Sequence, residues 1–87
     1  MKPYRVKHKA SGLYYQPTSN GNSLSKTGKV YLTKNNVLSG TDHFVYISLN
    51  KQDRIYKEYA KFFPTLRTYH LYMVGRVPKY EFEKEEL

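Results

Sequence analysis

Apolar and polar residues alternate with a period of two near the start of the chain. The stretch YRVKHK, residues 4–9, places Tyr4, Val6 and His8 on one side and three basic side chains on the other. This alternation is typical of a half-buried antiparallel strand with a charged outer face. A short turn follows, and residues 13–16 continue as a second strand. The pattern therefore predicts a β-hairpin.

The next segment is polar before it regains an alternating pattern. Residues 17–28 are rich in turn-forming residues and predict a loop, which we expect Leu24 to anchor to the core. Residues 29–33 predict a third strand, with Val30 and Leu32 pointing inward. The outward side chains of that strand are then Lys29, Tyr31 and Thr33.

The second half of the chain contains three more strand-like segments. Residues 43–49, HFVYISL, are β-branched and aromatic and predict a fourth strand, with a helix capped by Thr41 as the alternative. Residues 66–74 carry apolar side chains on both sides, which favours a long central strand. We expect Gly75 to end it and residues 77–83 to form a last strand.

One amphipathic helix is predicted between these strands, over residues 51–63. Asn50 is a suitable N-cap, and Pro64 cannot continue the helix. The apolar stripe consists of Ile55, Tyr59 and Phe62. The fold class that follows is α+β: a twisted antiparallel sheet of four or five strands with this helix packed on one face.

Size and charge narrow the class of protein further. The 87 residues fit a single domain, 1–87, and the absence of Cys excludes disulfides and thiolate metal sites. No stretch approaches the roughly 18 apolar residues of a membrane span, and the N-terminus has no signal-like apolar run, so we expect a cytoplasmic protein. The net charge is +8, and residues 1–41 hold seven Lys or Arg and no acid. We expect the acidic tail, residues 83–87, to fray.

The sequence has no catalytic signature. The Gly-Lys pair in SKTGKVYLTK, residues 25–34, resembles part of a phosphate-binding loop, but Gly21 and Gly28 have the wrong spacing and Val30 replaces the required hydroxyl. A phosphate-binding loop also opens a helix rather than a strand. The three histidines are scattered, and few carboxylates accompany them. We therefore expect no catalytic residue, metal site or cofactor, and a protein that is not an enzyme.

The remaining signal is a set of basic residues interleaved with tyrosines. Sheet faces of this composition bind single-stranded nucleic acid by stacking and phosphate neutralisation, and they also bind acidic protein surfaces. We expect a partner among RNA, DNA and ribonucleoproteins, with RNA favoured. Whether the acidic tail covers the basic face is left open by the sequence. The candidate binding residues are Arg5, Lys7, Lys9, Tyr14, Lys26, Lys29, Tyr31 and Lys34.

A resemblance adds a second hypothesis. The order YRVKHKASGLYYQP and then LSKTGKVYL, within residues 4–32, resembles that of short phage accessory proteins of unknown function. The resemblance implies a phage-encoded product acting in the host cell cytoplasm. Small proteins of that origin often disable a host defence or nucleic-acid-handling protein by direct binding, as anti-CRISPR proteins do. An inhibitor of this kind is therefore the alternative function.

Overall fold

Two antiparallel β-sheets make up most of the structure, a computed structural model that describes residues 2–19 and 21–87. The α+β class is confirmed, whereas the expected single sheet is wrong, because the strands divide into a sheet ordered β3-β2-β1-β7 and a sheet ordered β4-β6-β5. In chain order the elements are β1 (Tyr4–His8), β2 (Tyr14–Thr18), β3 (Gly21–Ser25), β4 (Phe44–Asn50), α1 (Arg54–Tyr59), β5 (Arg67–Tyr69), β6 (Tyr72–Pro78) and β7 (Phe82–Glu86). Two 3₁₀ turns, Ala60–Phe62 and Lys79–Glu81, follow α1 and β6.

The first hairpin agrees with its alternating sequence. β1 and β2 pair antiparallel, and Tyr4, Val6 and His8 are all fully buried. Side chains alternate between the two faces of a strand, so the neighbouring basic residues are left on the outer face. One core combines inward residues of both sheets with residues of the connecting segments: Tyr4, Val6, Leu13, Tyr15, Leu24, Tyr31, Val45, Ile47, Leu49, Phe63, Leu66, Val77 and Phe82.

The segment predicted as a loop contains β3 instead. Residues 21–25 pair with β2, and Leu24 lies opposite Tyr15 with 3% of its surface exposed. The expected anchoring role of Leu24 is confirmed. Strand pairing uses backbone groups, so a polar edge strand needs only one apolar anchor to be held in place.

Residues 29–33 do not form the predicted strand, and the predicted faces are inverted. Tyr31 makes a single bridge to Tyr4 and is buried, whereas Val30 and Leu32 are 47% and 70% exposed. The Tyr31 ring stacks on the Tyr4 ring, with centroids 5.4 Å apart. A large ring that stacks on a core tyrosine buries more surface than either aliphatic side chain, which explains the inversion.

The long strand predicted over residues 66–74 is a hairpin. It turns after β5 at His70, whose φ of 54° lies in the left-handed region. β6 is the central strand of its sheet, and it runs on through Gly75 and Arg76, where a break was predicted. Space favours glycine there, since an added Cβ would lie 3.0 Å from the Thr65 carbonyl oxygen, which is tighter than most real Cβ contacts.

The helix is shorter than its apolar stripe predicts. Residues 43–49 are a strand as predicted rather than the alternative helix, but β4 extends to Asn50, which pairs with Tyr72. Asp53, not Asn50, is therefore the N-cap, and its side chain accepts a hydrogen bond from the Ile55 N–H. No helix in the described part of the chain is long and apolar enough to cross a membrane.

The acidic tail, residues 83–87, was expected to fray, and this is wrong for most of it. β7 pairs with β1 along its whole length, with Glu85 opposite Arg5 and Glu83 opposite Lys7. Phe82, which is 5% exposed, anchors the start of the strand. Opposite charges on facing strands stabilise this pairing.

Candidate functional site

Three of the predicted binding residues lie together, but a carboxylate lies among them. Arg5, Lys7 and Tyr14 share the outer face of the four-stranded sheet, where the Arg5 guanidinium is 4.1 Å from the centre of the Tyr14 ring. The Tyr14 hydroxyl donates to Glu85 Oε1 at 2.6 Å. Lys7 Nζ is 3.4 Å from Glu85 Oε2, and Arg5 Nη2 is 3.9 Å from Oε1.

This contact changes the electrostatics of the predicted face. The hydrogen bond from Tyr14, together with Lys7 and Arg5, lowers the pKa of Glu85 below its ordinary value. The same hydrogen bond raises the pKa of Tyr14. Glu85 therefore stays ionised and offsets part of the charge of the two cations. The acidic strand, which lies beside β1 in the same sheet, thus places one carboxylate within this part of the basic face.

The other predicted binding residues do not converge on one site. Tyr31 belongs to the core, and burial, followed by the neighbouring Tyr15 and Tyr4, raises its pKa to about 12. Lys29 Nζ lies 4.9 Å from the centre of the Tyr31 ring, so it covers the outside of that core residue. The three remaining lysines, which are exposed, are Lys9, Lys26 and Lys34.

His8 is a structural residue rather than part of an open site. Its Nε2 lies 2.9 Å from Glu81 Oε1, and its Nδ1 accepts from the Ser11 N–H at 3.3 Å. The ring packs between Phe63 and Phe82, with centroid distances of 4.5 and 5.1 Å. A buried histidine whose two nitrogens both have partners contributes to packing.

The outer face of the second sheet carries an aromatic and cationic surface that the sequence analysis missed. Phe44 and Tyr46 project outward from β4 and are 46% and 58% exposed. Arg76 of β6 pairs with Tyr46, and its guanidinium lies 5.6 Å from the centre of the Phe44 ring. Because of the strand register, Arg67 and Tyr69 of β5 lie on the same face of the sheet as Tyr46 and Arg76. We call Phe44, Tyr46, Arg67, Tyr69 and Arg76 the aromatic face.

The aromatic face is electrostatically unlike the predicted one. Within residues 2–19 and 21–87, every ion pair up to 4.0 Å involves Glu81 or Glu85, so neither Arg67 nor Arg76 forms an ion pair with a carboxylate. A groove of about 400 Å³ opens at one end of the face. It is lined by Thr41, Asp42, His43, Phe44, Tyr46 and Arg76. Stacking surface and free positive charge thus occur together.

A signal for this face is present in the sequence. In HFVYISL, the aliphatic residues Val45, Ile47 and Leu49 occupy one side, while Phe44 and Tyr46 occupy the other. All three aliphatic residues are buried. Three aliphatic side chains on one side of a strand favour that side as the inward one, which leaves Phe44 and Tyr46 on the outer side.

No protein-family model, curated protein or solved structure matches the chain. The resemblance to phage accessory proteins therefore stays a prediction.

Proposed function

We propose that the protein binds single-stranded nucleic acid, RNA foremost, on the aromatic face and without catalysis. The observation that carries this proposal is the exposure of Phe44 and Tyr46 beside Arg76 on the outer face of the second sheet. Unpaired bases stack on exposed aromatic rings, and arginine contacts phosphates or stacks on bases. Neither contact depends strongly on which base is present.

Charge supports this ligand over a neutral one. The net charge of +8 attracts a polyanion at long range, and exposed Lys9, Lys26 and Lys34 contribute to it wherever they lie. At short range the two sheets differ, because Glu85 partly offsets Arg5 and Lys7. We therefore place the bases on the second sheet rather than on the first hairpin.

The test is fluorescence anisotropy with short labelled single-stranded RNA and DNA across a salt series. Replacing both aromatics, F44A with Y46A, removes stacking that contributes about 1–3 kcal/mol per base, so affinity should fall about tenfold or more. The matched control is Y80A, since Tyr80 is 77% exposed but lies in the 3₁₀ turn after β6, outside the aromatic face.

Salt dependence provides the second readout. Wild-type affinity should fall steadily with rising salt, and Arg76→Gln should make that dependence shallower by about one phosphate contact. Absent binding at low salt, or equal losses in the double variant and Y80A, would refute the proposal.

Inhibition of a host protein remains the second candidate. Exposed tyrosine and arginine are also enriched at the energetic centres of protein interfaces, and Tyr69 is 62% exposed. This candidate predicts a stable complex with one host protein that Tyr69→Ala weakens, and no binding of free RNA.

A further inference from the structure

The groove at the end of the aromatic face contains a carboxylate, which a plain polyanion site would avoid. Asp42 lines the groove beside Arg76 and Phe44. It forms no ion pair with Arg76, or with any other cation in the part of the chain that the structure describes. A carboxylate is acceptor-only and repels phosphate oxygens. A ligand that contacts this carboxylate directly must therefore supply hydrogen-bond donors.

A backbone hydrogen bond holds the residue next to Asp42 at the groove. The His43 carbonyl oxygen accepts from the Lys79 N–H at 3.0 Å. This bond continues the ladder one step beyond the pair of Phe44 with Pro78. The segment that leads into β4 is thereby fixed to the end of β6. Asp42 lies just before β4, the strand whose Phe44 and Tyr46 supply the stacking surface.

We propose that the groove is a guanine-selective base site, an inference that rests on the proposed function. Guanine presents two adjacent donors, N1–H and the N2 amino group, which match the two oxygens of one carboxylate. Adenine and cytosine present one amino group beside an acceptor, and uracil presents one N–H between two carbonyls. Bases splayed out of a single strand are read on this edge while they stack on aromatic side chains.

The other groove residues fit the same occupant. Phe44 and Tyr46 offer rings for stacking, and Arg76 is a donor for the guanine O6 or a flanking phosphate. The groove volume of about 400 Å³ suits one nucleotide, because small-molecule sites begin at about 300 Å³. Aromatic, cationic and anionic groups within one groove thus have distinct roles toward a single base.

The experiment compares labelled oligouridine with the same strand carrying one guanosine, adenosine or cytidine. The guanosine strand should bind about tenfold more tightly, since a bidentate base contact discriminates by about that factor. D42N should remove this preference and leave affinity for plain oligouridine equal or slightly higher. The control E58Q removes one exposed carboxylate from α1 and should keep the preference.

The outcomes separate the two proposals. Equal binding of all four strands to the wild-type protein would overturn the guanine site and leave the proposed function standing. A guanosine preference that survives in D42N would also overturn it, because Asp42 would then not read the base. Absent binding of every strand would overturn both proposals, whereas a preference lost in D42N and kept in E58Q supports the guanine site.

Discussion

Gly28 allows a direct test of how the segment before Tyr31 is held against the first hairpin. Its φ is +69°, and an added Cβ would overlap the Cβ of Tyr14 and approach the Tyr15 carbonyl oxygen to 3.1 Å. Gly12 has nearly the same backbone conformation, with φ of +77°, but an added Cβ there meets nothing within 4 Å. Alanine at the two positions therefore separates backbone strain from steric overlap.

The expected losses of unfolding free energy follow from the backbone strain and the steric overlap. Left-handed backbone costs a non-glycine residue about 1–2 kcal/mol, and this applies to both variants. Overlap with an already packed neighbour adds about 1–3 kcal/mol, and this applies only to G28A. We expect G12A to lower the free energy of unfolding by about 1–2 kcal/mol and G28A by about 2–5 kcal/mol.

Urea unfolding followed by circular dichroism measures both values at one temperature. Thermal unfolding gives a second reading, since about 1 kcal/mol shifts Tm by about 4–8 °C in a domain of this size. Equal losses in the two variants would refute the predicted contact between Gly28 and β2. A loss in G12A larger than that in G28A would also refute it.

Two further predictions concern the N-cap and the acidic strand. Asp53→Ala should lower the free energy of unfolding by about 1 kcal/mol, because the Ile55 N–H loses its acceptor. Asp53→Asn retains an acceptor and should keep most of that stability. Urea unfolding measures both variants, and equal losses would contradict the capping role of Asp53. The lowered pKa of Glu85 means that its contribution to stability is present above the ordinary glutamate pKa of about 4.3 and is lost as the pH falls through the folded-state pKa. Tyr14→Phe should raise the Glu85 pKa in an NMR titration, and an unchanged pKa would contradict the hydrogen bond.

Local sequence patterns predicted an element well where the pattern of a single strand or turn is enough to define that element. β1, β2 and β4 were predicted, and so was the burial of Tyr4, Val6 and His8. The helix was predicted with its stripe, but its start was wrong, because β4 uses Asn50 for pairing with Tyr72 before the helix begins. Pairing with a strand that is distant in sequence therefore outweighed the local preference of Asn50 for an N-cap position.

The candidate site depended more heavily on long-range contacts. Composition indicated a basic, tyrosine-rich surface, and Arg5, Lys7 and Tyr14 do lie together. No local pattern shows that Glu85, near the other end of the chain, pairs with β1 and contacts all three. Strand partners follow from topology, so the sequence could raise a contact between the acidic tail and the basic face but could not establish it.

The sequence by itself determined which segments alternate, because successive side chains in a strand point to opposite faces whatever the strand packs against. Only the tertiary structure decided which face of residues 29–33 is inward, because both faces of that segment carry apolar or aromatic side chains. Tyr31 rather than Val30 entered the core because Tyr4 offers a ring to stack on. Phe44 and Tyr46 stayed outside because Val45 and Ile47 fill the interior of the same strand. Residues that are distant in sequence fill one core together, and the residues of the aromatic face remained outside that core.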